Sequence, residues 1–209
     1  MVQLDRRLTQ PPSSRWLPRQ PGNLRGQATA DRLALAALEV AELHGVQATT
    51  VDEICRVAGC SRRTFFHHYP SRVAALLGAA VPMVTPEAVA RYLAEPVPIL
   101  TGALSLVDIP EEMSPSSPLG ARRHALLQTS PPLQAAARER MTPAATAVLA
   151  AVTAKIAQLP GIDREEARPM AEAVTTIAAA LIQSAYAAGD DNPSGTLHRL
   201  APIWQELIT

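Results

Sequence analysis

The residues with the clearest binding chemistry lie between Ser61 and Tyr69, where two Arg, one Thr, two His and two Phe follow one another closely. At 100° per residue, Phe65 and Tyr69 share one face of a helix, and we expect that face to pack on Ile54 and Ala58. The opposite face then carries Arg, Thr, His and an aromatic ring. Arg pairs with guanine, and Thr and Phe contact thymine methyl groups, so this face suits a DNA major groove.

Phosphate contacts are expected beside this face. His68 and Arg72 can reach the DNA backbone, as can the N-terminus of a preceding helix around Thr49 and Thr50. Together with the resemblance described below, the predicted DNA-binding set is Thr49, Thr50, Ser61, Arg62, Arg63, Thr64, Phe66, His67, His68, Tyr69 and Arg72.

Three short helices must position these side chains. Apolar residues recur at three- and four-residue steps over 29–44, and the following glycine is a typical helix stop. Thr50 and Glu53 form a capping box that starts the second helix, which Gly59 ends. Ser61 caps the third helix. Two helices joined by a tight glycine turn predict a helix-turn-helix.

The rest of the chain also shows helical patterning, interrupted by Pro and Gly. A long helix is predicted over 72–93, with a kink or an early end because of Pro82 and Pro86. A short apolar segment at 96–107 and a loop at 109–118 follow. The remaining predicted helices span 119–129, 132–159, 164–188 and 195–208.

These patterns predict an all-α fold with a flexible basic tail at 1–25 and a helix-turn-helix domain at 26–75. A helical ligand-binding and dimerisation domain is predicted at 76–209. Hydrophobic residues make up 47% of the chain but aromatic residues only 3%, which favours close-packed helices over a β-sandwich.

The charge is divided between the two parts of the chain. Residues 1–77 carry ten Arg against six Asp or Glu, whereas residues 78–209 are acidic, so only the first part is expected to meet a polyanion. We find no signal peptide and no apolar run long enough for a bilayer, so we expect a cytoplasmic protein with no membrane partner.

The run GVQATTVDEICRVAGCSRRTFFHHYPSRVAAL resembles the DNA-binding domain of TetR-family repressors over about residues 25–77. The resemblance implies base contacts from Arg62, Arg63, Thr64, Phe66 and His68, and phosphate contacts from Thr50, Tyr69 and Arg72. It also implies a homodimer on a palindromic double-stranded operator, and a repressor released by a small-molecule effector. The SRRTFF run is similar to the actinobacterial branch with acyl-CoA-like ligand-binding regulators, which implies a small apolar or acyl-type effector.

Candidate residues for the effector pocket are Met83, Leu104, Arg123, His124, Leu127 and Met141, although the apolar ones also fit an ordinary core and the charged ones a solvated face. Candidate residues for the dimer interface are Val174, Ala178, Leu181, Ala185, Leu200, Ile203, Trp204 and Leu207, for which packing within one chain is the alternative.

The sequence gives weaker support to a metal site, a cofactor site, a redox switch or enzyme activity. His67 and His68 are adjacent on a helix and point about 100° apart, so no metal site is expected, and no cofactor either. Cys55 and Cys60 are expected in the core, with a thiol switch left open. We find no catalytic motif and expect no enzyme activity; an enzyme without a recognisable motif and a helical interaction module remain the alternatives.

Overall fold

The computed structural model describes the backbone of residues 24–208 and the side chains of residues 26–200 other than residue 164. The tail predicted over 1–25 lies outside these residues, apart from Leu24 and Arg25, which already belong to the first helix.

The described residues form an all-α fold, as predicted. Its helices are α1 (Leu24–His44), α2 (Val51–Ala58), α3 (Arg62–His68), α4 (Arg72–Leu77), α5 (Pro86–Ala94), α6 (Ile99–Leu104), α7 (Pro118–Thr129), α8 (Pro131–Ile156), α9 (Arg164–Ala187) and α10 (Pro193–Ile208). A 3-10 turn spans Glu111–Met113, and Met83 and Asp108 form an isolated β-bridge.

The predicted caps delimit the helices of the helix-turn-helix. The Thr50 hydroxyl accepts the Glu53 backbone N–H at 3.2 Å, and the Ser61 hydroxyl accepts that of Thr64 at 3.1 Å. Gly59 ends α2 in the left-handed conformation, with φ of 62°. The reciprocal half of the capping box is not formed, because the Glu53 carboxylate accepts from the Arg56 guanidinium on the next turn instead.

The long helix predicted over 72–93 ends early, at Leu77. Gly78 has φ of 98° and ψ of 153°, a backbone conformation that is essentially restricted to glycine and incompatible with a continuing helix. The chain resumes as α5 only at Pro86, which occupies the first turn of α5, where no N–H is needed. The early end was therefore anticipated, but it comes from Gly78 and not from the two prolines.

Residues 24–81 and 110–140 form one compact unit, called here the N-unit. Its core joins α1, α2, α3 and α4 with α7 and the beginning of α8, since Leu126 and Leu133 share a cluster with Leu33, Phe65 and Leu76. The compact units thus do not follow the predicted division at residue 75, because α7 completes the core on which the helix-turn-helix packs.

Residues 82–109 and 141–208 belong to the second compact unit, called here the C-unit. Tyr92, Val152 and Ala171 lie in its larger buried cluster, and Leu104, Ala178 and Leu181 form a smaller one. The Tyr92 hydroxyl donates to the Ile99 carbonyl at 3.1 Å, and burial raises the pKa of Tyr92 to about 12. Among the described residues, we find no helix with the length and apolarity needed to cross a membrane.

Replacing Gly78 by alanine should destabilise the protein by about 1–3 kcal/mol, because alanine rarely adopts this conformation. An added Cβ would also lie 2.8 Å from the Glu112 Oε1 atom. Urea unfolding followed by circular dichroism measures the change. Gly45→Ala is the matched control, since Gly45 also has positive φ but has nothing within 4 Å of an added Cβ. Equal losses in the two variants would refute a role for the contact with Glu112.

Native protein treated with iodoacetamide at pH 8 should be alkylated at Cys60 well before Cys55. Cys55 is buried, and burial, together with the adjacent Cys60 thiol, raises its pKa to about 11, which leaves little reactive thiolate. Mass spectrometry of single-cysteine variants, Cys60→Ala against Cys55→Ala, measures the two rates. In urea, where the chain is unfolded, the two rates should become equal. Comparable rates already in the folded protein would contradict the burial of Cys55.

Candidate nucleic-acid interface

The inner face of α3 is anchored in the core of the N-unit, as its helical periodicity predicted. Phe65 is fully buried and Tyr69 is 2% exposed, with their ring centroids 6.1 Å apart. The Tyr69 hydroxyl donates to the Ala30 carbonyl of α1 at 3.1 Å. These contacts fix the rotation of α3 about its axis.

The outer face of α3 is open to solvent. Arg62, Arg63, Phe66 and His67 are exposed, and Phe66 retains 49% of its accessible surface although its ring meets Phe65 edge-on at 5.3 Å. Thr64 and His68 are half-buried at the edges of this face. A single exposed phenylalanine is ordinary on a protein surface, but together with two arginines, a threonine and two histidines it gives this face the donors and the apolar contact that a DNA major groove requires.

The two arginines of the outer face have different surroundings. The Arg62 guanidinium contacts the Asp52 carboxylate of α2 at 2.5 Å and lies 5.8 Å from the centroid of the Phe66 ring. Both members of this ion pair are more than half exposed, so the pair is weak. Among the described residues, Arg63 takes part in no salt bridge within 4 Å. Arg63 therefore offers an uncompensated charge to a partner.

Three residues predicted to contact phosphates hold the fold together. Thr49 is fully buried and donates to the Gly45 carbonyl at 3.0 Å, so it occupies no surface position. Tyr69 is buried likewise. Arg72 donates from Nη1 to the carbonyls of the α1–α2 loop, at 3.2 Å from that of Val46 and 2.6 Å from that of Thr49. Of the predicted phosphate contacts, Thr50 is exposed at the start of α2.

His67 and His68 contact each other edge-on, with centroids 5.1 Å apart. The part of the chain that the structure describes holds no group of three or more His, Cys, Asp or Glu suited to a metal ion.

The six residues predicted for an effector pocket are divided equally between the two compact units. Met83, Leu104 and Met141 belong to the C-unit, and the other three to the N-unit. Leu104 is core, and Leu127 packs against the N-unit core. Arg123 is 3% exposed and donates to backbone carbonyls through Nε and Nη1, so it does not lie on a solvated face.

His124 bonds Gln128 on the next turn of α7 at 2.9 Å, while Met83 pairs with Asp108 in the β-bridge. An open cleft of about 390 Å³ lies elsewhere in the N-unit, between the end of α1 and the α7–α8 junction, and none of the six lines it.

Four of the eight residues predicted for a dimer interface pack inside the C-unit. Ala178, Leu181 and Ala185 of α9 are buried within the single chain, and Val174 packs against the larger cluster. Ala171, Ala178 and Ala185 form a stripe of small residues along α9, called here the small-residue stripe. This stripe lets other helices of the same unit approach closely. Leu200 is 38% exposed, while Ile203, Trp204 and Leu207 lie outside the residues whose side chains are described.

Asp52, Glu112 and Arg140 are polar residues of the N-unit that the sequence did not single out. Asp52 looked like an ordinary acidic residue in the first turn of α2, and its pairing with Arg62 ten residues later depends on the angle between α2 and α3. Glu112 and Arg140 meet the residues after α4 from distant positions in the chain. No short-range pattern predicts such contacts.

Comparison with solved structures supports the helical architecture. Two crystal structures of NalD from Pseudomonas aeruginosa, described as the secondary repressor of the MexAB-OprM multidrug efflux pump, are similar to the chain. The first matches with a TM-score of 0.54 and 18% identity over 87% of this chain and 96% of NalD. The second has a TM-score of 0.52 and 17% identity, covering 86% and 96%. At this identity the likeness establishes the fold.

Comparison with curated proteins found no match. Residues 33–80 match the family described as "Bacterial regulatory proteins, tetR family". This segment contains α2, α3 and α4 and most of α1, and so includes the outer face of α3 described above. The chain therefore contains, in residues 33–80, a domain similar to the DNA-binding domain of the tetR family of bacterial regulatory proteins, and this similarity supports a transcriptional regulator.

Proposed function

We propose that the chain binds a specific double-stranded operator by placing the outer face of α3 in the major groove. The observation that carries this proposal is Arg63, an exposed guanidinium without a carboxylate partner among the described residues, beside the half-exposed ring of Phe66. Arg63 reads guanine through its planar donors, and Phe66 covers a thymine methyl group. Thr64, His67 and His68 border the same surface.

Arg62 acts differently from Arg63 in this proposal. Its ion pair with Asp52 and its position over Phe66 hold it at the start of α3. When Arg62 contacts a base or a phosphate, it gives up its ion pair with the exposed Asp52 carboxylate. This costs little free energy, because the ion pair is weak in water. Asp52 keeps Arg62 extended in the free protein and opposes DNA by its own negative charge.

Phosphate binding is assigned to the exposed start of α2 and to the edge of α3. Thr50 caps α2. The first backbone N–H groups of a helix point out of its N-terminal end and give it a partial positive charge, so this end favours an anion. His68 lies at the other end of the surface. Arg72 contributes indirectly, because its bonds to Val46, Gln47 and Thr49 fix the loop that carries Thr50.

We propose further that the chain is a repressor that acts as a homodimer on a palindromic site and leaves it when a small apolar or acyl-type effector binds. NalD is described as a repressor, and its architecture resembles that of this chain. An effector need only bind one conformation better than the other to shift the equilibrium. Since α4 is only six residues long, a long rigid helix after Pro70 is not available to transmit the change.

Arg63→Ala should weaken binding to the operator by about 1–3 kcal/mol, which is about 5- to 150-fold in Kd. The operator is first selected from randomised duplex DNA with the full chain, and Kd is then measured by fluorescence anisotropy. Arg168→Ala, which removes another exposed positive charge, from α9 of the C-unit, is the control and should bind like the parent chain. Unchanged binding by Arg63→Ala, or no enriched site in the selection, would refute the proposed interface.

Asp52→Asn should tighten binding a few-fold at low salt, because it removes a negative charge beside the DNA and releases Arg62 from its ion pair. The gain should shrink as salt screens the charges. Anisotropy titrations between low and moderate salt measure both effects. Circular dichroism verifies that α2 keeps its helix without this first-turn carboxylate. Weaker binding by a folded variant would show that Asp52 instead orients Arg62 for contact.

A further inference from the structure

Two arginines and one carboxylate of the N-unit converge on the chain that leaves α4. Arg123 of α7 is 3% exposed, and its Nε donates to the Leu76 carbonyl at 3.0 Å. Its Nη1 donates to the Glu112 carbonyl at 2.6 Å and lies 3.5 Å from the Glu112 carboxylate. The guanidinium is therefore held through Nε and Nη1, and these bonds do not involve its remaining nitrogen, Nη2.

Arg140 of α8 meets the same segment. Its Nη2 donates to the carbonyls of Gly78 and Ala80, at 2.8 Å each. The Glu112 Oε1 atom accepts the Ala80 N–H at 3.0 Å, so the carboxylate and the two guanidiniums all engage residues 76–80. Burial lowers the pKa of Arg140, Glu112 opposes this, and the nearby charge of Arg123 adds to it.

The donors of this cluster are not all used. Arg123 Nη2 and Arg140 Nη1 are buried and have no hydrogen-bond acceptor in the structure as described. A buried donor that lacks an acceptor costs about 1–3 kcal/mol, and more when it belongs to a charged group. The cluster also holds two positive charges against the single carboxylate of Glu112, so one positive charge is uncompensated within it.

We propose that this cluster is a binding site for a small oxyanion, of the phosphate or carboxylate class, held by Arg123 Nη2 and Arg140 Nη1. An oxyanion supplies acceptors for both unused donors and cancels the excess positive charge. A water molecule could accept hydrogen bonds from these donors but would not cancel the excess positive charge. Guanidinium groups bind phosphate and carboxylate oxygens through short, charge-assisted hydrogen bonds.

Binding at this site would strengthen the N-unit where α4 ends. The guanidiniums that receive the anion also hold the carbonyls of Leu76, Gly78 and Ala80. Cancelling their mutual repulsion should tighten these bonds, and binding to the folded state should raise its stability by RT ln(1 + c/Kd), where c is the free anion concentration. The site depends on the fold of the N-unit alone and is independent of the proposed DNA contacts, so either proposal can fail without the other.

Thermal unfolding of the full chain tests the site, with inorganic phosphate or acetate titrated against sodium chloride at equal ionic strength. We expect Tm to rise with phosphate, acetate or both, in step with the logarithm of the concentration above Kd, and not with chloride. Arg140→Met should abolish this rise, while Arg122→Met should keep it, because Arg122 lies on the surface of α7 and pairs with Glu42. A response to acetate identifies carboxylates as ligands, and a response to phosphate alone identifies phosphate.

Glu112→Gln gives a second test that does not remove an arginine. The amide oxygen can still accept the Ala80 N–H, while the loss of the negative charge leaves both guanidiniums uncompensated. This variant should therefore bind the anion more tightly, so that a given phosphate or acetate concentration raises its Tm more than that of the parent chain. No rise with either oxyanion in the parent chain, an equal rise in chloride, or a weaker response in Glu112→Gln would overturn the proposal.

Discussion

The burial of Phe65 and Tyr69 is the constraint on which the interface depends. A seven-residue helix is too short to be stable alone, so its packing on α1 and its neighbours must hold it in place. Since both anchors lie four residues apart on one face, the helix cannot rotate without exposing a full aromatic ring. The orientation of Arg63 and Phe66 toward solvent therefore follows from core packing.

Local sequence rules predicted the parts of this arrangement that depend on neighbours in the chain. The caps at Thr50, Gly59 and Ser61 and the two faces of α3 each require only a few residues and helical geometry, and all are found as expected. The DNA-contact roles of the exposed residues stay predictions. The same rules could not predict that Gly78 would end α4, because the side chain that leaves no room for a Cβ at this position, Glu112, lies far along the chain.

Polar residues of the N-unit show where reasoning from the sequence alone fails. Arg72 and Arg123 belong to residue types that usually lie in solvent, and a surface role was the reasonable expectation for both. Each is instead used to satisfy carbonyls where a helix or loop ends, since those groups have no partner within their own element. Only the folded chain shows which carbonyls need such a donor, and long side chains from distant positions supply it.

The small-residue stripe of α9 had two interpretations, and packing distinguishes them. Alanine at repeated helical positions permits close approach of any neighbouring helix, from the same chain or from another. Ala171, Ala178 and Ala185 are buried within one chain, so this face is already occupied. A homodimer must then use other residues, such as the exposed Met170 on α9, or side chains beyond residue 200. Small residues alone thus predict that a helix is closely packed, but they do not predict whether its neighbour is a helix of the same chain or of another.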